Sequence, residues 1–476
     1  MAHRWKVLVV VSVAVFVVGL DLFIVNVSFP QIERAFSGAS VASVSWVLSA
    51  YAIVLAALMV PAGRWADRYG RRRLFLVGMA VFVASSALCG VAGALWLLIS
   101  ARVLQAVGAA FMLPTSLALL LPEFPPAERS AAIGVWASVG GIAAALGPPL
   151  GGLLVGVSWR LVFYVNVPVG LVALAFAWRL LSETRDETQQ RPDLLGALLL
   201  IGAVALLALG LVKAPSWHWG DTRTLASLVA GIVGLLAFWV RCQSHSSPII
   251  EPALLRVRSF ALANAAAVLF SASFAAMLLG CVLFMTDVWH YSTLTAGFAL
   301  SPGPLMAAIF APPAGRLAGR VGQAMIGALG IGVFAAGCAW WLWRADASAT
   351  YPLAMLPGLL ITGIGVGLTL PALASTAAAS LPPQRFATGA AIYTMARQFG
   401  FALGVAILVA VLGTSSKPDG VASFNRGWLF MIVSASVASG LAAAIGTVRQ
   451  YVPVDRTARV TPSTAERSVL ADVHTS

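Results

Sequence analysis

Three side chains in the first quarter of the chain could hold a charge, or bond one, inside an apolar interior. Asp21 lies in Leu20-Asp21-Leu22-Phe23-Ile24-Val25-Asn26-Val27-Ser28-Phe29-Pro30, within a long apolar run. An ionisable group at such depth is costly, and such groups mark proton relays and ion pathways. Apolar surroundings favour the neutral form of a carboxyl, which lets such a group take up and release a proton. The alternative is a structural acid, permanently protonated or held by an arginine. Arg102 and Gln105 are three positions apart in another apolar run, hence on one helix face. A guanidinium stays charged over the working pH range and must meet water or an acid. Asp21 is a fitting partner, which would make Asp21, Arg102 and Gln105 a proton-coupling set. The alternative for Arg102 is to bond backbone carbonyls. Asn26 stands five residues after Asp21, about 140° around a helix, and so off its face.

A second cluster has different chemistry. Gly63-Arg64-Trp65-Ala66-Asp67-Arg68-Tyr69-Gly70-Arg71-Arg72-Arg73 is a charge-dense turn between two apolar stretches. Asp67 can cap the helix that follows and bond Arg68 and Arg71 of its own loop, while Gly63 and Gly70 permit tight turns. Such a cluster can gate one side of a membrane protein and break when two bodies rock. Arginines alone would serve topology, but topology needs neither Asp67 nor the glycines. Further on, Gly147-Pro148-Pro149-Leu150-Gly151-Gly152 combines a proline kink with glycines that let another helix approach. It reads as packing, as a flexing point, or as both. Arg397 in a late apolar run is either a cavity charge or a snorkelling one. With Asn26 and Met112 it completes a candidate substrate cavity. Asp287 and His290 could relay protons or form a solvated pair. Gly363-Ile364-Gly365-Val366-Gly367 lies in an apolar run with no preceding strand, so it reads as packing, not a dinucleotide site.

These residues need apolar elements to hold them. The chain has 476 residues, 60% hydrophobic and 10% charged, with mean hydropathy +0.92. A soluble domain carries roughly 25% charged residues, so lipid must solvate most of this surface. A helical span takes about 20 apolar residues. Fourteen runs qualify, near 7–27, 44–63, 74–93, 96–119, 131–156, 161–181, 194–213, 224–241, 260–284, 294–315, 324–343, 353–377, 387–413 and 427–447. Barrel strands alternate over about ten residues, so the expected class is an all-α membrane protein. With the N-terminus cytoplasmic, about 21 of the 30 Lys/Arg fall in inner loops and about 7 outside, as the positive-inside rule demands. Both termini are then cytoplasmic. The net charge of +13 is not clustered on one soluble face, so no nucleic-acid partner is expected. Arg4 and Lys6 before an apolar core could pass for a signal peptide, but the many later spans and the missing cleavage pattern favour a retained helix. Cys89, Cys242, Cys281 and Cys338 show neither metal nor disulfide spacing. No phosphate-binding P-loop, HExxH or GxSxG occurs, so neither ATP hydrolysis nor a hydrolase is indicated.

Two polar interruptions, Ser182–Asp193 and Cys242–Ser259, divide the spans into six, two and six. The expected units are a first bundle over 1–182, loops and two linking spans over 183–258, and a second bundle over 259–448. Residues 449–476 are a polar tail expected to be disordered. An internal echo links the bundles: Gly63-Arg64-Trp65-Ala66-Asp67-Arg68-Tyr69-Gly70 returns as Gly315-Arg316-Leu317-Ala318-Gly319-Arg320-Val321-Gly322, without the acid. Repeated halves with a site between them near the midplane are a common transporter plan. Trp46, Trp96, Trp159, Trp217, Trp219, Trp289, Trp343 and Trp428 fall near span ends, and most are expected to be interfacial anchors.

Taken together, these residues resemble the major facilitator superfamily, and within it the fourteen-helix drug:proton antiporters of the QacA/EmrB type. The similarity covers nearly the whole chain, to about residue 447. Gly63–Arg73 resembles the superfamily's cytoplasmic loop motif, with Trp65 where Leu is usual. Arg102-Val103-Leu104-Gln105-Ala106-Val107-Gly108 is similar to the fourth-helix motif linked to proton transfer, with Ala106 for Gly. Gly134, Ala143, Gly147, Pro148, Gly151 and Gly152 fall on the fifth-helix antiporter motif, with Ala143 for Gly. Leu20–Pro30 resembles a first-helix motif of the fourteen-helix group, with Phe23 for Thr. Trp159-Arg160 and Asn166-Val167-Pro168-Val169-Gly170 are further marks of that group.

The resemblance implies a major facilitator fold, two six-helix bundles plus two extra central helices. It implies alternating-access efflux of hydrophobic or cationic drugs or antibiotics from a bacterial inner membrane. No cofactor is implied; proton entry supplies the energy, about 2.3 kcal/mol per charge per 100 mV. The fifth-helix motif implies export rather than uptake, and a monomer in lipid is the family expectation. Two alternatives stay open: a dedicated exporter of one host metabolite or self-made antibiotic, and a transport-dead sensor on a carrier fold.

Overall fold

A computed structural model describes residues 3–36, 38–125, 128–185, 193–381, 386–413 and 420–446. The expected tail beyond 449 lies outside the described residues, as do most of the Ser182–Asp193 loop and the side chains of Arg316 and Arg320. Fourteen described helices are long and apolar enough to cross a membrane. They are α1 (His3–Ala35), α2 (Val41–Tyr69), α3 (Arg71–Val91), α4 (Leu95–Glu123), α5 (Ser138–Val157), α6 (Leu161–Leu180), α7 (Leu194–Trp217), α8 (Thr222–Ser244), α9 (Arg258–Val288), α10 (Thr293–Gly315), α11 (Gln323–Arg344), α12 (Tyr351–Ala379), α13 (Gly389–Leu412) and α14 (Val421–Ala443). Helices satisfy their own backbone where lipid offers no hydrogen bonds. Local signals set several ends. Asp193 accepts from the Gly196 N–H at 2.9 Å and Asp221 from the Arg223 N–H at 2.7 Å, capping α7 and α8.

Several spans differ in extent from the sequence reading, α1 and α14 among them. Helix α1 runs on through Pro30 to Ala35, and two of its polar side chains bond back to their own turn. Asn26 Nδ2 donates to Leu22 O at 2.7 Å, and Ser28 Oγ donates to Val25 O at 2.9 Å. Helix α14 begins several residues before 427, because Ser423 and Phe424 are buried in its packing face.

Helices α1–α6 pack as one group and α9–α14 as another, with the α7–α8 pair laid against α2 and α13. The two groups meet through α2 with α13, α5 with α10, and α1 with α9. The contact is tight at the end away from the arginine-rich loops. There α1 is buried at every position from Ile24 to Pro30, and α9 from Phe270 to Thr286. Towards the arginine-rich end both helices open: Val15, Phe16, Gly19, Leu22 and Phe23 are half-buried and Ala265 is exposed. Helix α13 shows the same change along one face. Ala390, Thr394, Arg397 and Gln398 are exposed or half-buried, and the face continues as buried Phe401, Val405, Leu408 and Leu412. A cleft therefore enters from the arginine-rich end and closes near midspan.

The tryptophans divide by environment. Trp96, Trp219 and Trp343 are well exposed, as anchors would be, but Trp428 is fully buried. It packs 5.1 Å from Trp341 and 6.0 Å from Phe284, in the interior of the second group rather than at an interface. All four cysteines are free and buried.

Candidate functional site

Asp21, Arg102 and Gln105 meet inside the first group. Arg102 Nη1 donates to Asp21 Oδ2 at 2.5 Å and to Gln105 Oε1 at 2.7 Å. Gln105 Nε2 donates to Asp21 Oδ1 at 3.0 Å. Asn166 Nδ2 donates to the same oxygen at 3.2 Å. Ser86 Oγ accepts from Gln105 and Asn166, at 3.3 and 3.2 Å, and donates to Phe163 O at 2.9 Å. Arg102 Nε donates to Val47 O at 3.1 Å, and its guanidinium carbon lies 4.1 Å from the Tyr51 ring centroid, within cation–π range. Helices α1, α2, α3, α4 and α6 thus each contribute. Asp21, Arg102, Gln105 and Ser86 have no exposed surface, so this network is sealed from the cleft in this conformation.

The network pairs its charges but keeps spare hydrogen-bonding capacity. Arg102 Nη2, Asn166 Oδ1, Tyr51 Oη and Ser49 Oγ are buried without partners among the described residues. An unsatisfied buried polar atom usually costs about 1–3 kcal/mol. A proton on Asp21 would remove the ion pair and leave Arg102 with Gln105, Val47 and Tyr51. Sequence reasoning found Asp21, Arg102 and Gln105 but missed Ser86, Tyr51 and the role of Asn166. The only signal was a polar residue at the head of an apolar run.

The Gly63–Arg73 run turns between α2 and α3. Gly70 takes φ +117° and ends α2, its N–H bonded to Ala66 O at 3.0 Å. Asp67, in the last turn of α2, pairs with Arg71 Nε at the start of α3 at 2.7 Å, but it does not cap α3. Because Asp67 lies before the turn, the free N–H groups of α3 go to Glu183 instead. Arg72 N–H donates to its Oε1 at 3.0 Å and Arg73 N–H to its Oε2 at 3.1 Å. Arg68 lies over Tyr69, 5.8 Å from the ring centroid. A link out of the first group is Arg64, whose Nη1 donates to Ser247 Oγ at 2.5 Å and whose Nη2 stands 4.0 Å from Glu251. Both partners lie in the connection before α9. Gly63 packs beside Pro114 of α4.

Helix α5 continues through Pro148 and Pro149, and its small residues face two ways. A Cβ on Gly147 would overlap Phe23, and one on Gly151 would lie 3.3 Å from Ile24 Cα, both on α1. Gly152 faces α10, where a Cβ would lie 3.1 Å from Leu294 O. On that helix a Cβ on Gly297 would lie 2.6 Å from Pro148 O. The Gly147–Gly152 stretch therefore forms part of the seam between the two groups.

Met112 and Asn26 are enclosed rather than cleft-facing, at 0% and 2% exposure. Asn26 bonds its own helix, not a neighbour. Arg397 is half-buried on the cleft face of α13, its guanidinium carbon 6.0 Å from the Tyr393 ring centroid. Asp287 and His290 sit at the closed end of α9, where Thr286 Oγ1 donates to Asp287 at 3.0 Å. No group of three or more metal-ligating side chains occurs among the described residues.

The halves repeat in space. The helical turn after α10 continues to Val321, and Gly322 ends it and starts α11 at φ +101°, as Gly70 does between α2 and α3. Gly78 and Gly108 bring α3 and α4 together, a Cβ on Gly108 falling 2.6 Å from Phe82 N. Gly330 and Gly365 do the same for α11 and α12, with Phe334 N at 2.6 Å.

Comparison with known proteins agrees with this architecture. The family model described as Major Facilitator Superfamily matches residues 11–405 and 260–472. The chain is 33% identical over 413 residues to a tetracenomycin C resistance and export protein of Streptomyces glaucescens, covering 86% of this chain and 76% of that one. It is 34% identical over 408 residues to the multidrug resistance protein Stp of Mycobacterium tuberculosis, covering 85% and 75%. A crystal structure of the nucleoside transporter NupG superposes with a TM-score of 0.66 at 12% identity, covering 94% of this chain and all of that one; at that identity the likeness is one of fold. Fourteen membrane-length helices, a spatial repeat, the Gly63–Arg73 turn and these matches place the chain in the major facilitator superfamily.

Proposed function

We propose that this protein exports hydrophobic antibiotics or drugs in exchange for protons, by alternating access. The observation that carries the reading is the sealed Asp21–Arg102–Gln105–Asn166 network, which offers one titratable carboxyl within an otherwise apolar group of helices. The relatives named for antibiotic resistance and export support the direction and the substrate class. In this reading the arginine-rich end is cytoplasmic, both termini lie inside, and the cleft opens inward. Substrate enters while Asp21 is ionised and paired with Arg102. A proton arriving on Asp21 breaks that pair, loosens α1 from α4, and favours the state open on the other side. Gly147–Gly152 and Gly297 form the outer seam that must part. Arg64, Asp67 and Arg71 hold the inner ends. Residues 1–182 and 259–448 rock as bodies, with 183–258 linking them, in a monomer in the bacterial inner membrane. No cofactor takes part; the proton gradient supplies the energy.

Inverted membrane vesicles test this. Substrate addition should discharge an acid-inside gradient, and the gradient should drive uptake. A folded protein that leaves the gradient untouched across a broad panel of lipophilic dyes and antibiotics would refute broad export. A narrower exporter of one metabolite is favoured by relatives named for single compounds, tetracenomycin C and actinorhodin. It predicts discharge by one host product only.

A further inference from the structure

The cleft carries a charge, Arg397, that no described side chain of its own half pairs. Arg397 faces the opening at the level where α13 passes Ala265 of α9, since a Cβ on nearby Gly400 would fall against Val268 O. No described side chain bonds its guanidinium, and its Nε is buried without a partner. Among the described residues of α9–α14 and the loops between them, the carboxylates are Asp287 and Asp346. Both belong to the closed end: Asp287 is about 30 Å further along α9 at 1.5 Å per residue, and Asp346 lies in the loop whose backbone accepts from Trp289 Nε1 at 2.8 Å. In the first half Asp21 is taken by Arg102 and Asp67 by Arg71. Beside Arg397, Tyr393 is 5% exposed with its hydroxyl unpartnered, so a second donor waits at the same level. An unpaired guanidinium inside a membrane is expensive, and Arg with a phenol hydroxyl suits an oxyanion.

We propose that Arg397 and Tyr393 form an anion-accepting subsite on α13, which receives the ionised carboxylate or phenolate of an otherwise apolar substrate. The inference deepens the exporter reading and rests on it for the word substrate; the subsite itself is a matter of binding. A cation finds no counterpart here, because the one deep carboxylate is sealed and paired.

Three probes of nearly one shape separate the charges: 9-anthracenecarboxylate, its neutral methyl ester, and cationic 9-aminomethylanthracene. Their binding to the purified full chain, read by fluorescence near neutral pH, should favour the carboxylate. R397Q should weaken the carboxylate by about 10- to 100-fold, the range of a hydrogen bond to a charged group, and change the ester less than about twofold. R397K should restore part of the loss, and Y393F should weaken the carboxylate alone by a smaller factor. If R397Q does not fold, R397K and Y393F carry the comparison. Equal losses for all three probes, a preference for the cation, or no preference for the carboxylate would overturn the proposal. Gradient discharge in vesicles is read separately: its absence with the carboxylate preference intact defeats the exporter reading and leaves the subsite standing.

Discussion

Replacing Asp21 by Asn tests the central network most directly, because the side chains match in shape and differ in charge. Asp21 Oδ1 accepts from Gln105 and Asn166, and Oδ2 accepts from Arg102 at 2.5 Å. An amide has one acceptor oxygen. Placed at the Oδ1 position it keeps two bonds but turns its NH2 towards Arg102, donor against donor. The flipped amide sets NH2 against two donors, so the first arrangement wins. The loss is then one ion pair and its hydrogen bond, with Arg102 left charged at 0% exposure. Breaking a buried pair by removing one partner costs about 3–5 kcal/mol, roughly 10² to 10⁴ in the folded-to-unfolded ratio. Thermal unfolding of the purified variant should show that loss, and vesicle assays should show no substrate-driven discharge of the proton gradient. Adding R102Q to D21N removes the stranded cation and should recover most of the stability without recovering antiport. D21N protein that unfolds within about 1 kcal/mol of the parent and still discharges the gradient would refute both the energetic and the coupling argument.

Gly70→Ala should destabilise the protein by about 1–3 kcal/mol, since φ is +117° and a Cβ would stand 2.8 Å from the Glu183 carboxyl; Gly315→Ala, with nothing within 4 Å, should be silent in the same thermal melt. Glu183→Ala should cost about 1–2 kcal/mol as a lost cap, and equal melting of variant and parent would count against the cap. Gly297→Ala should wedge the seam at Pro148 and favour the state open at the arginine-poor end. Labelling of a Q31C variant by a membrane-impermeant maleimide should then speed up, because Gln31 now rests 3.4 Å from Thr293; unchanged labelling would refute the wedge.

Much of this arrangement is legible in the sequence, for identifiable reasons. Apolar runs of span length leave helices as the only economical backbone, so all fourteen spans could be placed. The Asp21–Arg102 pair follows from charge neutralisation in an apolar medium, which needs no coordinates. What the sequence hides is the partner that comes from far along the chain. Glu183 caps α3 across 111 positions, and the mixed-charge loop that contains it offers several equivalent acids. Asp67 was the local choice for that cap, and the positive φ of Gly70 is what turns it away. Direction along a helix face is hidden too: Met112 and Arg397 both read as intramembrane side chains, yet one is enclosed and the other meets the cleft.

The separation of partners along the chain also bears on how the protein is made. Asp21 enters the membrane 81 positions ahead of Arg102, which at about 5–20 residues per second is roughly 4–16 s of synthesis. Its third partner, Asn166, is 145 positions away. A nascent first helix therefore spends seconds with an acid that nothing on the ribosome's side can yet neutralise. It must wait beside the insertion machinery until α4 arrives. Chains halted at Ala94 should be cleared from the membrane faster than chains halted at Leu120, so that the buried acid of α1 serves as a checkpoint on biogenesis.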